Sequence, residues 1–226
     1  MNLTGTTRIR AGSFHGGVRT ELRRSWAPWW CTGHMAERMV LLRHGATEWS
    51  LRGQHTGRTD IPLVDEGREQ AKRAGQILRE HGFRSFGLVL TSPLRRAAET
   101  CALAGFDGEL EPDLVEWDYG AYEGLTGAQI RERNPGWTLW DEGVPGGERV
   151  SDVGRRADRV IERARRTEGD TLCVAHGHLL RVLGARWLHL PPVAGRLHLL
   201  RPAGICVLGW ELEYPAIEVW NRGPTF

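Results

Sequence analysis

The chain has 226 residues and a formal net charge of +2, enough for one well-cored α/β domain and too short for two large ones. A hydrophobic content of 40% and ten tryptophans exclude a disordered chain. So small a charge gives little field for nucleic acid, and Lys72 is the sole lysine among the basic residues. No apolar run reaches the roughly 18 residues of a membrane span, so neither nucleic acid nor membrane is expected as a partner.

Residues 1–35 are rich in Gly, Thr and Arg and show no helical or strand period. The pair Arg23-Arg24 lacks the apolar stretch that an export signal of the twin-arginine kind needs after it. We expect a disordered extension, or a spurious upstream start with Met35 or Met39 as the first residue, and one domain over residues 36–226. From there strands and helices alternate. The runs MVLL (39–42), GLVLTS (87–92), TLCVA (171–175) and GICVLGWELE (204–213) read as buried strands. In 66–81, Ala71, Ala74, Ile77 and Leu78 share a helical face. Pro93 is placed to open a helix over 93–104 from its first turn. The segment 108–148, rich in Gly, Pro and Trp, holds one clear helix at 125–134 and is expected to pass over the sheet. In 150–166, Val153, Ala157, Val160, Ile161 and Ala164 line another helical face. The run 217–223 reads as an antiparallel partner of 204–213. The fold class expected is α/β: a single domain with a mostly parallel central sheet flanked by helices on both faces. Cys31, Cys101, Cys173 and Cys206 form no CxxC pair, which suits free, buried thiols of a reducing compartment and a cytoplasmic protein.

In such sheets ligands collect at the carboxyl ends of the strands. Arg43 and His44 follow the first run, with Gly45 expected to turn the backbone tightly behind them. Arg95 and Arg96 follow the second. His176, Gly177 and His178 follow the third. Two histidines and two arginines converging at one edge repel one another unless an anion sits among them, and a phosphoryl group matches arginine's planar fork. The same positive field disfavours protonation of His44 and leaves an imidazole able to attack phosphorus. The pair in HGH could chelate a metal, but no third close ligand accompanies it, so no metal or cofactor is expected. A leaving alkoxide needs a proton, and in LVEWDYGAYEG the spacing leaves Glu116, Asp118 and Glu123 as equal candidates.

The motifs LLRHGATEW, TSPLRRAAET, EWDYGAYEG and AHGH, in this order and spacing, resemble the histidine phosphatase superfamily, in its phosphoglycerate mutase-like branch, over roughly residues 38–213. The resemblance implies His44 as the phosphorylated nucleophile, Arg43, Arg95 and His176 as the phosphate pocket, and Glu116 as the proton donor. It implies contact of Thr56 and Gly57 with the phosphate, places Ser50, Tyr119, Gly177 and His178 on the substrate side, and leaves Arg96 structural. Mutases of this branch carry Asn where Ser50 and His178 stand, Lys near Gly127, and an Arg pair where Asp141 and Glu142 follow Trp140. Exchanging cations for anions there should repel a second phosphate. The insertion that shelters the phosphoenzyme in mutases is also shorter here. Ser50 with His55, Thr56 and Gly57 resembles a subgroup of acid phosphatases and sedoheptulose bisphosphatase-like enzymes. The function expected is therefore a metal-independent phosphomonoester hydrolase, acting through phosphohistidine on a small phosphorylated metabolite such as a sugar phosphate. A phosphoglycerate mutase and a non-catalytic phospho-ligand binder are the alternatives, and a homodimer is left open.

Overall fold

A computed structural model describes residues 37–224. The expectations for residues 1–35, Cys31 among them, lie outside the described residues. Six strands form one sheet: β1 (Met39–Arg43), β2 (Leu88–Thr91), β3 (Glu109–Leu110), β4 (Thr171–Ala175), β5 (Ile205–Glu211) and β6 (Tyr214–Arg222), in the order β3-β2-β4-β1-β5-β6. β3, β2, β4 and β1 run parallel, while β5 and β6 add an antiparallel hairpin at the β1 edge. The sheet is thus mixed, with its parallel part at the centre.

Strand alternation sorts the core into two halves. Met39, Leu41, Cys173 and Ala175 face the helices α6 (Val150–Ala164) and α7 (Gly177–Trp187), meeting Val153, Ala157, Val160, Leu179 and Leu183. Val40, Leu42, Leu172 and Val174 face α2 (Asp65–Glu80) and α3 (Arg95–Leu103), meeting Ala74, Leu78 and Cys101. Burying both faces explains why the β1 and β4 runs are continuously apolar. Short helices α1 (Glu48–Leu51), α4 (Gly127–Arg133) and α5 (Leu139–Glu142) complete the connections. Cys101, Cys173 and Cys206 are free and buried. Among the described residues no helix is long and apolar enough to cross a membrane.

Two local expectations change, and one helix had given no signal. β3 lies inside the segment expected to leave the sheet; its two residues are both exposed, so no apolar signal marked it. Pro93 precedes α3, whose N-cap is Leu94, and does not occupy its first turn. α7 gave no amphipathic stripe because it is buried almost all round between α6, the sheet and the turn at Pro192–Leu197.

Candidate active site

β1 and β4 are parallel neighbours with Arg43 opposite Ala175, so the residues that follow them leave the sheet together. The rings of His44 and His176 lie 5.2 Å apart. His44 Nδ1 is 2.7 Å from the Gly45 carbonyl oxygen. A carbonyl only accepts, so Nδ1 carries the hydrogen and the lone pair of the neutral ring is on Nε2. Burial first, then the charges of Arg43 and Arg96, hold this imidazole well below the ordinary histidine pKa. Gly45 is not a positive-φ turn residue. A Cβ there would come within 2.1 Å of the Gly67 carbonyl oxygen, so glycine is needed because the strand exit presses on the first turn of α2.

Arg95, expected in the pocket, lies outside it, and Arg96, expected to be structural, is buried directly behind it. The Arg95 side chain is 64% exposed and, among the described residues, reaches only Glu99, at 4.0 Å. Arg96 is wholly buried. Its Nε donates to His176 Nδ1 at 3.2 Å, Nη1 to Thr59 O at 2.9 Å, and Nη2 to Thr56 O and Gly57 O at 3.1 and 2.9 Å. Helical phase is the cause: Arg96, Ala97, Thr100 and Cys101 form the buried face of α3, which leaves Arg95 on the solvent side with Glu99. Every acceptor on Arg96 is neutral, so its charge has no carboxylate in contact among the described residues.

His176 accepts from Arg96 on Nδ1 and therefore carries its hydrogen on Nε2, 2.8 Å from Ser92 Oγ. It is wholly buried behind His44, and burial, then Arg96, lower its pKa well below the usual value. Arg43 Nη1 donates to Leu200 O at 2.6 Å, whereas its Nε is buried with no partner. A buried donor left unmade costs about 1–3 kcal/mol; an anion beside it would satisfy it. Gly177 lets that guanidinium lie flat against the start of α7, since a Cβ there would sit 3.2 Å from Arg43 Cζ.

Glu116 separates itself from its competitors. Its Oε1 accepts from the backbone N–H groups of Trp117 and Leu179, each at 2.9 Å, and Oε2 from that of His178 at 3.0 Å. The carboxyl group thus caps the N-terminus of α7, where the helix dipole favours it. Arg156 fixes the segment behind it, donating to Asp113 O, Val115 O and Glu116 O while paired to Glu148 at 2.8 Å. Asp118 is paired to Arg58 at 2.6 Å, and Glu123 accepts from Gly57 N and Thr59 N.

These groups lie around an open cavity with about 620 Å³ of empty space, its solvent-filled mouth included. Arg43, His44, Ser50, Thr56, Glu116, Tyr119, Gly177 and His178 all line it. Arg95, Arg96, Gly57 and His176 do not: Gly57 is packed against Trp117 and Tyr119, with its carbonyl on Arg96. The Ser50 hydroxyl is committed to the capping box of α1, donating to Thr47 O at 3.0 Å. Gln54, His55, Arg181 and Leu200 also line the cavity; of these only His55 stood in a motif singled out from sequence. Burial holds the Tyr119 phenol protonated, and its hydroxyl lies 2.6 Å from His178 Nδ1. His55 Nδ1 donates to Leu125 O at 2.8 Å, so its Nε2 is an acceptor. The two imidazoles lie parallel within 5°, 6.3 Å apart. Gln54 Nε2 donates to Gly124 O at 2.7 Å, while its Oε1 is buried with no partner.

Three histidines with depressed pKa values, His44 and His176 buried and His178 partly buried, set a pH dependence. Above the ordinary value of 6.5 both the folded and unfolded rings are neutral, and they contribute no pH dependence to stability. Below it the unfolded chain binds protons that the fold refuses, so stability is lost as pH falls. The slope is up to about 1.4 kcal/mol per pH unit for each ring. Thermal melts at stepped pH are expected to show Tm falling from pH 7 toward pH 5, with inorganic phosphate offsetting the loss. A flat Tm over that range contradicts the buried neutral histidines.

With the geometry in place, the comparisons identify the class. Residues 39–223 match the histidine phosphatase superfamily, branch 1. The chain belongs to that superfamily. It is 45% identical to an acid phosphatase of Mycobacterium tuberculosis over 77% of this chain and 87% of that one. It is 34% identical to sedoheptulose 1,7-bisphosphatase of Saccharomyces cerevisiae over 69% of each chain. A 2,3-bisphosphoglycerate-dependent phosphoglycerate mutase of Methylorubrum populi is 35% identical over 66% of this chain and 78% of its own. The solved structure of a mycobacterial glucosyl-3-phosphoglycerate phosphatase superposes with a TM-score of 0.73 at 31% identity, over 82% of this chain and 99% of that one.

Proposed function

We propose that this protein hydrolyses phosphomonoesters in two displacements through a phosphohistidine at His44, without a metal. The observation that carries the reading is an imidazole held neutral, with its lone pair on Nε2, near two cations that touch no carboxylate among the described residues. In the first step His44 Nε2 attacks phosphorus and the P–O bond to the leaving group breaks. Arg43, on the cavity wall, meets the equatorial oxygens, and Arg96, buried behind His176, adds positive charge from outside contact distance, together taking the task a metal ion performs elsewhere. Glu116 gives the leaving oxygen its proton. In the second step the Glu116 carboxylate takes a proton from water, the water oxygen attacks phosphorus, and the P–N bond breaks to release phosphate and neutral His44. The relatives named for sugar-derived phosphates and the cavity's polar wall support a sugar phosphate as substrate. His55 Nε2 and Gln54 Oε1 offer acceptors to hydroxyl groups. The free, buried thiols of Cys101, Cys173 and Cys206 support a cytoplasmic location.

The mutase alternative keeps one specific support. Asp141 is paired to Arg196 at 3.2 Å and Glu142 accepts from Asn134 at 2.8 Å, and neither they nor Gly127 lines the cavity, so the repulsion expected from them does not act there. Turnover of an aryl phosphate in excess chelator tests the hydrolase reading, and activity that needs added metal would overturn it. Incubation with 3-phosphoglycerate and a bisphosphorylated primer separates the two reactions. Phosphate release should outrun isomer formation, and the reverse order would make the protein a mutase.

A further inference from the structure

Arg156, Arg159 and Arg163 stand three and four residues apart on α6 and so share one helical face. That face grips the chain that runs from β3 to Glu116. Arg163 pairs with Glu109 and Glu111, each at 2.6 Å, and Arg159 with Asp113 at 2.6 Å. Arg156 ends the row and is buried. Its Nη1 donates to Asp113 O and Val115 O at 2.7 and 2.8 Å, and its Nη2 to Glu116 O at 3.4 Å. Its Nε and Nη2 meet the two carboxylate oxygens of Glu148 at 2.9 and 2.8 Å. Glu148 in turn holds the residues that follow Glu116. Its Oε2 accepts from Asp118 N at 2.9 Å, its N–H donates to Asp118 O at 3.0 Å, and its carbonyl accepts from Trp117 Nε1 at 2.9 Å. Gly147 permits the approach, since a Cβ there would come within 2.2 Å of Asp118 O.

Stability alone gives this clamp little purpose. A desolvated ion pair is often no better than apolar residues of similar volume, and the more exposed pairs of Arg159 and Arg163 already tie the segment to α6. The buried pair adds precision at one place. Arg156 pins Val115 and the Glu116 carbonyl, and Glu148 pins Trp117 and Asp118, so the backbone is fixed on both sides of Glu116. The carboxyl tip is held separately, by the N–H groups of Trp117, His178 and Leu179. A group that gives a proton to a leaving oxygen and later takes one from water works only in a narrow geometry, and a carboxyl held at its tip alone would swing with its backbone. We infer that Glu148 and Arg156 are positioning residues for the Glu116 carboxyl group. Neither lines the cavity, so they act through Glu116 and not on the substrate. This role rests on the reading of Glu116 as proton donor.

The test compares kcat/KM for 4-nitrophenyl phosphate and glycerol 1-phosphate in wild type, Glu116→Gln, Glu148→Gln, Arg156→Lys and Arg159→Met. This ratio covers only the steps up to departure of the leaving group. A nitrophenolate departs without a proton, whereas an alkoxide needs one. In Glu148→Gln and Arg156→Lys the loss on the alkyl ester should exceed the loss on the aryl ester by about 10–100-fold, part of the roughly 10²–10⁴-fold that a placed general acid supplies. Lysine keeps the charge of Arg156 but cannot span its acceptors. Arg159→Met, which removes a mostly exposed pair, should stay within about twofold of wild type on both esters. Equal losses on the two esters, with a lowered Tm, would make the clamp structural only and overturn the inference, as would no loss on either. Amide exchange at Trp117, His178 and Leu179, read against the amides of β4, reports separately whether the Glu116 carboxyl group is held. Faster exchange in the two clamp variants is expected. If wild type turned over neither ester, or Glu116→Gln lost equally on both, the donor reading would fall. Faster exchange would then still uphold the positioning of Glu116, and unchanged exchange would sink it.

Discussion

His44→Ala is expected to abolish turnover of every phosphomonoester, by at least about 10⁴-fold, as removal of a nucleophile does. Among the described residues the ring makes one hydrogen bond, to the carbonyl of the next residue, so its loss leaves a single buried acceptor unmade, at about 1–3 kcal/mol. Burial also disfavours charging it. The variant should therefore fold, and its Tm should depend less steeply on pH below 6.5 than that of wild type. Arg43 and Arg96 remain, so inorganic phosphate should still bind, and calorimetry beside a turnover assay checks both halves. Measurable hydrolysis by the variant, with phosphate still bound, would point to direct attack by water on the substrate.

The second large effect concerns neighbouring arginines. Arg96→Ala is expected to lower kcat/KM by about 10²–10³-fold, the scale of losing one preorganised group that stabilises a transition state. Stability should fall with it. Three backbone carbonyls and the buried Nδ1 of His176 lose their donor, at about 1–3 kcal/mol for each group left unsatisfied. Arg96→Lys should not rescue it, because one ammonium cannot span Thr56, Gly57, Thr59 and His176 together. Arg95→Ala should stay within about twofold of wild type in activity and within about 0.5 kcal/mol in stability, as an exposed side chain with one long contact does. Steady-state kinetics and urea melts on the three variants decide it. A severe Arg95→Ala defect beside a mild Arg96→Ala one would restore the assignment drawn from the motif.

That contrast shows where the sequence was legible and where it was not. Strand ends were readable because buried strands are short apolar runs, and β1 and β4 deliver Arg43, His44 and His176 to one edge as their order implied. Arg95 and Arg96 are adjacent letters that differ only in helical phase, and the motif alone carries no phase. The signal was present: Ala97 and Cys101 lie four apart, and Arg96 with Thr100 flanks that stripe, whereas Arg95 aligns with Glu99. Gly45 was read as a turn because glycine permits one, but its reason is a long-range contact with Gly67, which no local pattern encodes. Glu116 could not be told from Asp118 and Glu123 by spacing, since what sorts them is the start of α7, sixty residues away in sequence. Asp141 and Glu142 looked like a repulsive pair in a cavity they do not line. Arg181 passed unnoticed because an arginine inside an apolar helix looks like a solvated position, and only the cavity shows what it faces.

The central claim is a covalent bond between phosphorus and His44. Its most direct measurement mixes wild-type protein with an aryl phosphate, whose good leaving group speeds the first step, and quenches in alkaline denaturant within milliseconds. Mass spectrometry of the peptide containing His44 then reads the result. One phosphoryl group on His44, lost on acid treatment and absent from His44→Ala protein, is the outcome expected. Rapid phosphate release with no phosphorylated protein at saturating substrate, or a phosphoryl group on another residue, would contradict it.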